Sequence, residues 1–201
     1  MTALVGFSGY ARSGKNTAAE ALVSQGYRLA AYADKLREAA LTLNPVVGAE
    51  TQYIREMRDC HEDYEWEEEV RLAEVVAANG WEGAKEEYPE VRRILQRLGT
   101  DVGRRLFGEN VWVDALMGDL PGDRVAITDV RFPNEADAIR ERDGLVIRVN
   151  RPGVGPAVSE DGGVHESETA LDGYDFDLVV DNVGSTTMLQ QVVRDLVVGC
   201  L

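Results

Sequence analysis

One segment near the start of the chain combines glycines and a lysine at a spacing that suits phosphate binding. The segment is Gly9-Tyr10-Ala11-Arg12-Ser13-Gly14-Lys15-Asn16-Thr17. Its glycines allow backbone conformations that side chains forbid, so that successive N–H groups can point at phosphate oxygens. A helix that starts here adds its partial positive charge, and the lysine adds a mobile charge for the β- and γ-phosphates. We therefore expect ATP to bind at Gly9, Arg12, Ser13, Gly14, Lys15, Asn16 and Thr17.

The residue after Lys15 bears on the metal that accompanies ATP. This position is usually serine or threonine, whose hydroxyl ligates Mg²⁺, whereas this chain has Asn16 followed by Thr17. Asn16 could coordinate through its amide oxygen or hold a metal-bound water, and Thr17 could bond a phosphate. Asp129 ends an apolar run, where a carboxylate could hold a water of the magnesium shell. We expect Asn16, Thr17 and Asp129 to surround Mg²⁺.

The loop needs a strand before it and a helix after it, and the sequence supplies both. Short apolar runs predict strands at residues 4–7, 27–31, 125–128, 145–149 and 178–180. Helical patterns predict helices at residues 15–24, 34–43, 134–142 and 186–198. Short apolar strands separated by helical crossovers predict a parallel sheet covered on both faces, which is an α/β fold.

Two segments do not fit simple crossovers. Residues 50–120 form a long helical section, broken at Asn79-Gly80, Pro89, Gly99 and Gly108, and its acidic part, Glu62–Glu69, suits a solvated helix face. Residues 151–167 are rich in glycine and proline, which is typical of a flap. We predict one domain with a core at 1–34 and 111–201, an inserted helical lobe at 35–110 and a lid at 151–167.

Charge and hydropathy exclude several classes of protein. The chain has 36 acidic and 21 basic residues and a formal charge of −15, so it repels nucleic acid and anionic membrane surfaces. A small phosphate ligand remains compatible, because a pocket can be locally positive. No stretch approaches the ~20 apolar residues of a membrane span, and the first residues lack a secretory signal. We expect a cytoplasmic protein, in the host cytoplasm if a phage encodes it.

A phosphate-binding loop of this kind occurs in several classes of protein, and GTPases, regulatory ATPases and small-molecule kinases remain to be distinguished. A GTPase needs an Asp-x-x-Gly after a buried strand and an Asn-Lys-x-Asp for guanine. The candidate at Asp129 continues Asp-Val-Arg-Phe and lacks the glycine, and the chain contains no Asn-Lys pair. The GTPase interpretation therefore fails.

Several further segments match one family in order along nearly the whole chain. They are Ser8–Thr17, Tyr32–Arg37, Leu95–Arg104 with Trp112-Val113, Thr128–Ala136, Arg148–Pro152, His165–Glu168 and Asp181-Asn182. In these the chain resembles the phage-type deoxynucleoside monophosphate kinases of the P-loop nucleoside monophosphate kinase group. The resemblance implies a three-layer P-loop kinase with a five-stranded parallel sheet, a monophosphate-binding lobe and a short lid. It also implies transfer of phosphate from Mg-ATP to deoxynucleoside monophosphates, which supplies deoxynucleotides for DNA synthesis. The family often carries aspartate where this chain has Asn16.

The resemblance also suggests roles for individual residues. The expected catalytic residues are Lys15, Asp129, Arg131, which could clamp a phosphate bidentately, and Arg151 of the lid. The expected contacts to the acceptor nucleotide are Asp34, Lys35, Arg37, Arg93, Gln96, Thr100, Asp101, Arg104 and Arg131. Asn182 and Gly184 resemble the loop on the adenine side of ATP.

Alternatives remain open at the residue level and for the function. Arg131 could instead form a salt bridge with Glu135, Thr100 and Asp101 could cap a helix, and His165 could start a helix or contact phosphate. The acceptor could be another phosphorylated molecule, such as dephospho-coenzyme A or phosphomevalonate, or the chain could be a regulatory ATP-binding module. Base range, sugar selectivity and a homodimer are not decided by the sequence.

Overall fold

The computed structural model describes residues 3–54, 64–120, 122–158 and 162–200. The strands are β1 (Ala3–Ser8), β2 (Arg28–Ala30), β3 (Val46–Ile54), β4 (Tyr64–Arg71), β5 (Arg124–Ile127), β6 (Leu145–Asn150) and β7 (Leu178–Asp181). The helices are α1 (Lys15–Glu20), α2 (Tyr32–Leu43), α3 (Leu72–Glu87), α4 (Pro89–Gln96), α5 (Val111–Met117), α6 (Pro133–Arg140), α7 (Glu166–Thr169) and α8 (Thr186–Cys200). A 3₁₀ turn covers Val23–Gln25, and a π-helical segment covers Arg97–Phe107.

Five strands form a parallel sheet in the order β2-β5-β1-β6-β7. Because successive side chains of a strand point to opposite faces, Leu4 and Val5 enter different cores. Leu4 packs on one side with residues of α5 and α6, whereas Val5 packs on the other with residues of α1 and α8. Both faces of the sheet are thus covered, and the predicted α/β fold with a five-stranded parallel sheet is confirmed.

The chain divides into two compact units. The first comprises residues 1–35 and 109–201 and contains the parallel sheet. The second comprises residues 36–108, and its core is formed by Ala40, Val47, Leu72, Val75, Ala84 and Val91. Helix α3 of this unit is interrupted at Gly80, which has φ 66°, at the break that the Asn79-Gly80 pair predicts.

The second unit is not wholly helical, so the expectation of helix from residue 50 onward is wrong for its first part. Strands β3 and β4 pair antiparallel, with Glu50 opposite Glu68 and Gln52 opposite Trp66. The predicted acidic helix at Glu62–Glu69 is a strand from residue 64, and its first two residues lie outside the described ones. Glutamates favour helix in isolation, but Tyr64, Trp66 and Val70, which stand at even positions of the sequence, favour a pleated strand.

Candidate functional site

The glycine-rich loop connects β1, the central strand of the sheet, to α1. Gly9 has φ 138° and Gly14 has φ 106°, which are left-handed conformations that suit glycine. A Cβ atom on Gly9 would lie 2.3 Å from the carbonyl oxygen of Val149, and one on Gly14 would lie 2.6 Å from Nδ2 of Asn182. Glycine is therefore required at both ends of the loop for steric as well as conformational reasons. Arg12, between them, also has a positive φ of 65°.

Lys15 folds back over the loop that precedes it. Its Nζ donates hydrogen bonds to the carbonyl oxygens of Gly9, at 2.6 Å, and Tyr10, at 2.7 Å. Burial, and after it the positive charge of Arg131, lowers the pKa of Lys15 to about 8, while the negative charge of Glu168 opposes the shift. An ammonium group in this position is poorly solvated and lies close to another cation, which is the environment that an anionic ligand would relieve.

Polar side chains lie inside and behind the glycine-rich loop. Ser13 is 1% exposed, and its Oγ has no hydrogen-bond partner among the described residues. An unpaired buried hydroxyl is unusual in proteins and suits a ligand group. Behind the loop, Nδ2 of Asn182 donates to the carbonyl oxygen of Ser13 at 2.9 Å, so this predicted adenine-side residue supports the loop backbone. Gly184 is exposed two residues later.

Asp129 lies at the carboxyl end of β5 and faces the start of α2. Its Oδ1 accepts the backbone N–H of Tyr32 at 2.7 Å, and its Oδ2 accepts that of Ala33 at 2.9 Å. Burial raises the pKa of Asp129, and the two N–H groups oppose this shift. Asp34 accepts the N–H of Ala31 at 2.8 Å. Both predicted site carboxylates thus accept backbone N–H groups at the start of α2, where a negative charge is also favourable.

Arg131 pairs with a carboxylate that sequence reasoning did not assign. Its Nη1 lies 2.7 Å from Oε1 of Glu168 and 3.4 Å from Oγ of Ser167. The alternative salt bridge with Glu135 is wrong, because that buried carboxylate accepts the backbone N–H groups of Arg131 and Phe132, at 2.7 and 3.1 Å, and caps α6. A glutamate three residues into a helix after a proline is the sequence pattern for such a cap.

Glu168 also contacts the loop that was predicted to be a lid. Its Oε2 accepts the N–H of Ala157 at 3.3 Å, and Val158 and Val164 form a single antiparallel bridge. His165 precedes α7, and its Nδ1 accepts the N–H of Ser167 at 3.2 Å. Of the two alternatives for His165, the structure shows the helix start.

Four predicted site residues of the first unit make no side-chain hydrogen bond or ion pair with any described residue. Arg12, Asn16 and Arg151 are exposed, and Thr17 is half-buried in the first turn of α1. Lys35, by contrast, forms an ion pair with Asp119 at 2.7 Å. Because Asp119 is largely exposed, such a pair contributes little stability and exchanges readily with another anion.

The remaining acceptor-site candidates belong to the second unit. The guanidinium of Arg37 lies 5.8 Å from the ring centre of Trp81, and Nη1 of Arg93 lies 2.9 Å from Glu90. Helix α4 continues into the π-helical segment without a break from residue 89 to 107. Thr100 and Asp101 lie inside this stretch, so the capping alternative for them is wrong. Gln96, Thr100, Asp101 and Arg104 occupy the same continuous stretch.

A parallel α/β sheet that carries a glycine-rich loop and a lysine at the carboxyl end of its central strand has the architecture of the P-loop kinases. The chain matches the family described as deoxynucleotide monophosphate kinase over residues 36–193. The chain belongs to this family, and it is a kinase that phosphorylates deoxynucleoside monophosphates.

Individual viral proteins are similar to the chain. A putative deoxynucleotide monophosphate kinase of Acanthamoeba polyphaga mimivirus is 30% identical over 195 residues, which covers 89% of this chain and 88% of that protein. The deoxynucleoside-5'-monophosphate kinase of Escherichia phage T5 is 27% identical over 186 residues, covering 72% and 74%. The deoxynucleotide monophosphate kinase of Enterobacteria phage T4 is 32% identical over 111 residues, covering 52% and 44%.

No helix among the described residues is long and apolar enough to cross a membrane.

Proposed function

We propose that the chain transfers the γ-phosphoryl group of Mg-ATP to a phosphate oxygen of a deoxynucleoside monophosphate, yielding ADP and the diphosphate. The observation that carries this proposal is the placement of Lys15, whose Nζ is hydrogen-bonded to the carbonyl oxygens of Gly9 and Tyr10 in the glycine-rich loop. Arg131, 116 positions away in the sequence, is close enough for its charge to lower the pKa of Lys15. Two such cations suit a transferring phosphoryl group, whose charge spreads over three oxygens.

The chemistry needs no nucleophilic side chain, because the acceptor oxygen is already anionic. Catalysis is then alignment and charge neutralisation. Lys15 and the loop N–H groups would hold the β- and γ-phosphates. Arg131 would leave Glu168 to clamp the transferring group, and exposed Arg151 would add charge from the lid at 151–167.

The residues near the start of α1 fit a magnesium ion. Mg²⁺ prefers oxygen ligands and keeps several waters. Asn16 and Thr17 present oxygens beside the loop, and Asp129 retains lone pairs beyond those that its two N–H partners use, which suits a metal-bound water. When bound, the ion would neutralise charge on the β- and γ-phosphates.

We assign the two substrates to different parts of the chain. ATP belongs to the core at 1–34 and 111–201, with Asn182 and Gly184 towards adenine. The acceptor belongs to the lobe at 35–110, with its phosphate near the start of α2. The contacts that we propose for it are Asp34, Lys35, Arg37, Arg93, Gln96, Thr100, Asp101, Arg104 and Arg131. We place the reaction in the cytoplasm, where it supplies deoxynucleotides for DNA synthesis.

The test is ADP release from Mg-ATP in the presence of each deoxynucleoside and ribonucleoside monophosphate. Lys15→Ala should abolish turnover, whereas Lys85→Ala should retain it, because Lys85 pairs with Glu82 on the surface of α3. Turnover with one or more deoxynucleotides that depends on Lys15 supports the proposal and gives the base range. ATP binding without stimulation by any nucleotide would overturn it in favour of another phosphorylated acceptor or a regulatory module.

A further inference from the structure

A third cation near the phosphate loop has no part in the chemistry proposed above. Arg148 lies on β6, next to β1 in the sheet, and is only 9% exposed. Its Nη2 lies 3.1 Å from Oδ1 of Asp172, and its Nε lies 3.3 Å from Oδ1 of Asn150. A buried guanidinium is unfavourable unless it is paired and hydrogen-bonded, so these partners are needed for the fold to accept it.

The same guanidinium is packed against aromatic rings. It lies 4.7 Å from the ring centre of Tyr10 and 5.5 Å from that of Phe176. Partly buried cations attract aromatic faces in this geometry. The hydroxyl of Tyr10 donates to the same Oδ1 of Asp172, at 2.8 Å. Tyr10, Arg148 and Asp172 therefore form a closed cluster in which each side chain contacts the other two.

Tyr10 connects this cluster to the phosphate loop. It is the second residue of the loop, and its carbonyl oxygen accepts both Nζ of Lys15, at 2.7 Å, and the N–H of Ser13, at 3.1 Å. The two residues that follow make no such contact: Ala11 is small, and Arg12 is exposed and forms no side-chain hydrogen bond or ion pair with a described residue. Within residues 9–12, the side chain of Tyr10 is therefore the one that ties the loop to Arg148 on the sheet, in addition to the backbone contacts made by Lys15 and Asn182.

We propose that Arg148 is a positioning residue for the phosphate donor, which holds Tyr10, and through it the backbone of residues 9–13, in the conformation that receives phosphate. The inference rests on the proposed function only in assigning the donor to this loop. Without the guanidinium, Tyr10 loses the cation beneath its ring and Asp172 becomes an unneutralised acceptor. Binding of the phosphate donor must then order the loop, and the affinity for the donor falls because ordering a segment on binding weakens association.

The chain supplies a matched control. Arg140 pairs with Asp177 at 2.9 Å and lies 4.9 Å from the ring centre of Tyr174, whose hydroxyl donates to Asp137. This is a second cluster of arginine, carboxylate and tyrosine in the same unit. None of its described contacts involves residues 9–15. Removing either arginine should lower the stability of the fold, but only the removal of Arg148 should weaken binding of the phosphate donor.

The experiment compares Arg148→Met with Arg140→Met in the full chain. Mg-ATP affinity is measured by calorimetry without acceptor, and both KM values are measured where turnover occurs. Arg148→Met should weaken Mg-ATP binding and raise its KM by about tenfold, with the acceptor KM within about twofold of wild type. Arg140→Met should leave both within about twofold. Wild-type Mg-ATP affinity in Arg148→Met, or an equal loss in Arg140→Met, would overturn the inference.

A double-mutant cycle tests the route through the tyrosine, and its Tyr10→Leu variant by itself tests the proposal if Arg148→Met does not fold. Tyr10→Leu should by itself weaken Mg-ATP binding, and in combination with Arg148→Met should add less than its separate loss, because the two act as a unit. Unchanged binding in Tyr10→Leu, or fully additive losses, would contradict the proposal. If the wild type binds Mg-ATP but phosphorylates no nucleotide, the proposed function fails. The Mg-ATP affinities of Arg148→Met and Arg140→Met would still test the role of Arg148.

Discussion

At the scale of single residues, the cations of the phosphate site are held by partners of modest strength. Lys15 donates to two carbonyl oxygens of its own loop, and Arg131 pairs with Glu168. The side chain of Arg131 is 42% exposed, so solvent screens this ion pair in part. Both cations are thus kept in position, and neither is bound so strongly that a phosphate with several charged oxygens could not replace its partner.

Glu168→Gln tests whether that carboxylate orients Arg131. Glutamine can still accept from Ala157 but loses the charge that holds the guanidinium. We expect kcat to fall by about three- to tenfold, because a loosely held arginine is aligned less often, and KM values not to rise, because a competing anion is removed. Steady-state kinetics would measure kcat and KM separately. Glu166→Gln, an exposed neighbour in α7, should match wild type. A raised KM with unchanged kcat would contradict the prediction.

Sequence and structure agree on residues whose conformation depends on local spacing. The glycines and lysine of the loop are such residues, because strand, loop and helix are contiguous there. Glu168, Arg148 and Asp172 could not be assigned from the sequence, since their contacts join segments far apart in the chain. Glu135 is an intermediate case, because its position after Pro133 predicts a helix cap without any tertiary information.

At the scale of elements, the parallel strands were predictable and the antiparallel hairpin was not. A strand buried on both faces is a continuous apolar run, such as residues 4–7, whatever its neighbours are. Strands β3 and β4 are largely exposed. Polar residues interrupt the apolar ones in β3, and β4 is acidic, so neither is a continuous apolar run. What marks β4 as a strand is the placing of Tyr64, Trp66 and Val70 at even positions, and the glutamates between them obscure it.

Helix α2 depends on a carboxylate from another element, which gives a prediction for Asp129→Asn. Asparagine can accept one of the two N–H groups, but its amide nitrogen would face the other, leaving a poorly solvated donor without an acceptor. We expect the free energy of unfolding to fall by about 1–3 kcal/mol. Thermal or denaturant unfolding without nucleotide or metal measures this.

Asp123→Asn is a suitable control for that variant, because Asp123 is exposed and precedes β5. It should unfold like wild type. If Asp129→Asn were as stable as this control, the carboxylate would not support α2, and its role would have to lie in ligand binding alone.

At the scale of the whole molecule, an acidic chain can bind anionic substrates because a few basic side chains lie close together at the site. The formal charge is −15, and only three of the 21 basic residues are lysines. Arg131 and Arg148 nevertheless both lie near enough to Lys15 for their charges to lower its pKa. Since exposed charges are screened over about 8–10 Å, such a local cluster determines ligand binding more than the net charge does.

Ligand binding at this cluster should stabilise the fold as a whole, because Mg-ATP binds the native state and not the unfolded chain. At 100 times Kd the gain is about 2.7 kcal/mol, and for a chain of this size we expect Tm to rise by about 5–11 °C. Lys15→Ala should lose most of this rise, whereas Lys85→Ala should keep it. Chelating the magnesium should reduce the rise, since Lys15 and the loop N–H groups would then face the full charge of the triphosphate alone. Thermal unfolding with ATP, with and without Mg²⁺, measures each part. Equal stabilisation with and without the metal would show that Asn16, Thr17 and Asp129 hold no ion, and equal stabilisation of both lysine variants would place the nucleotide elsewhere.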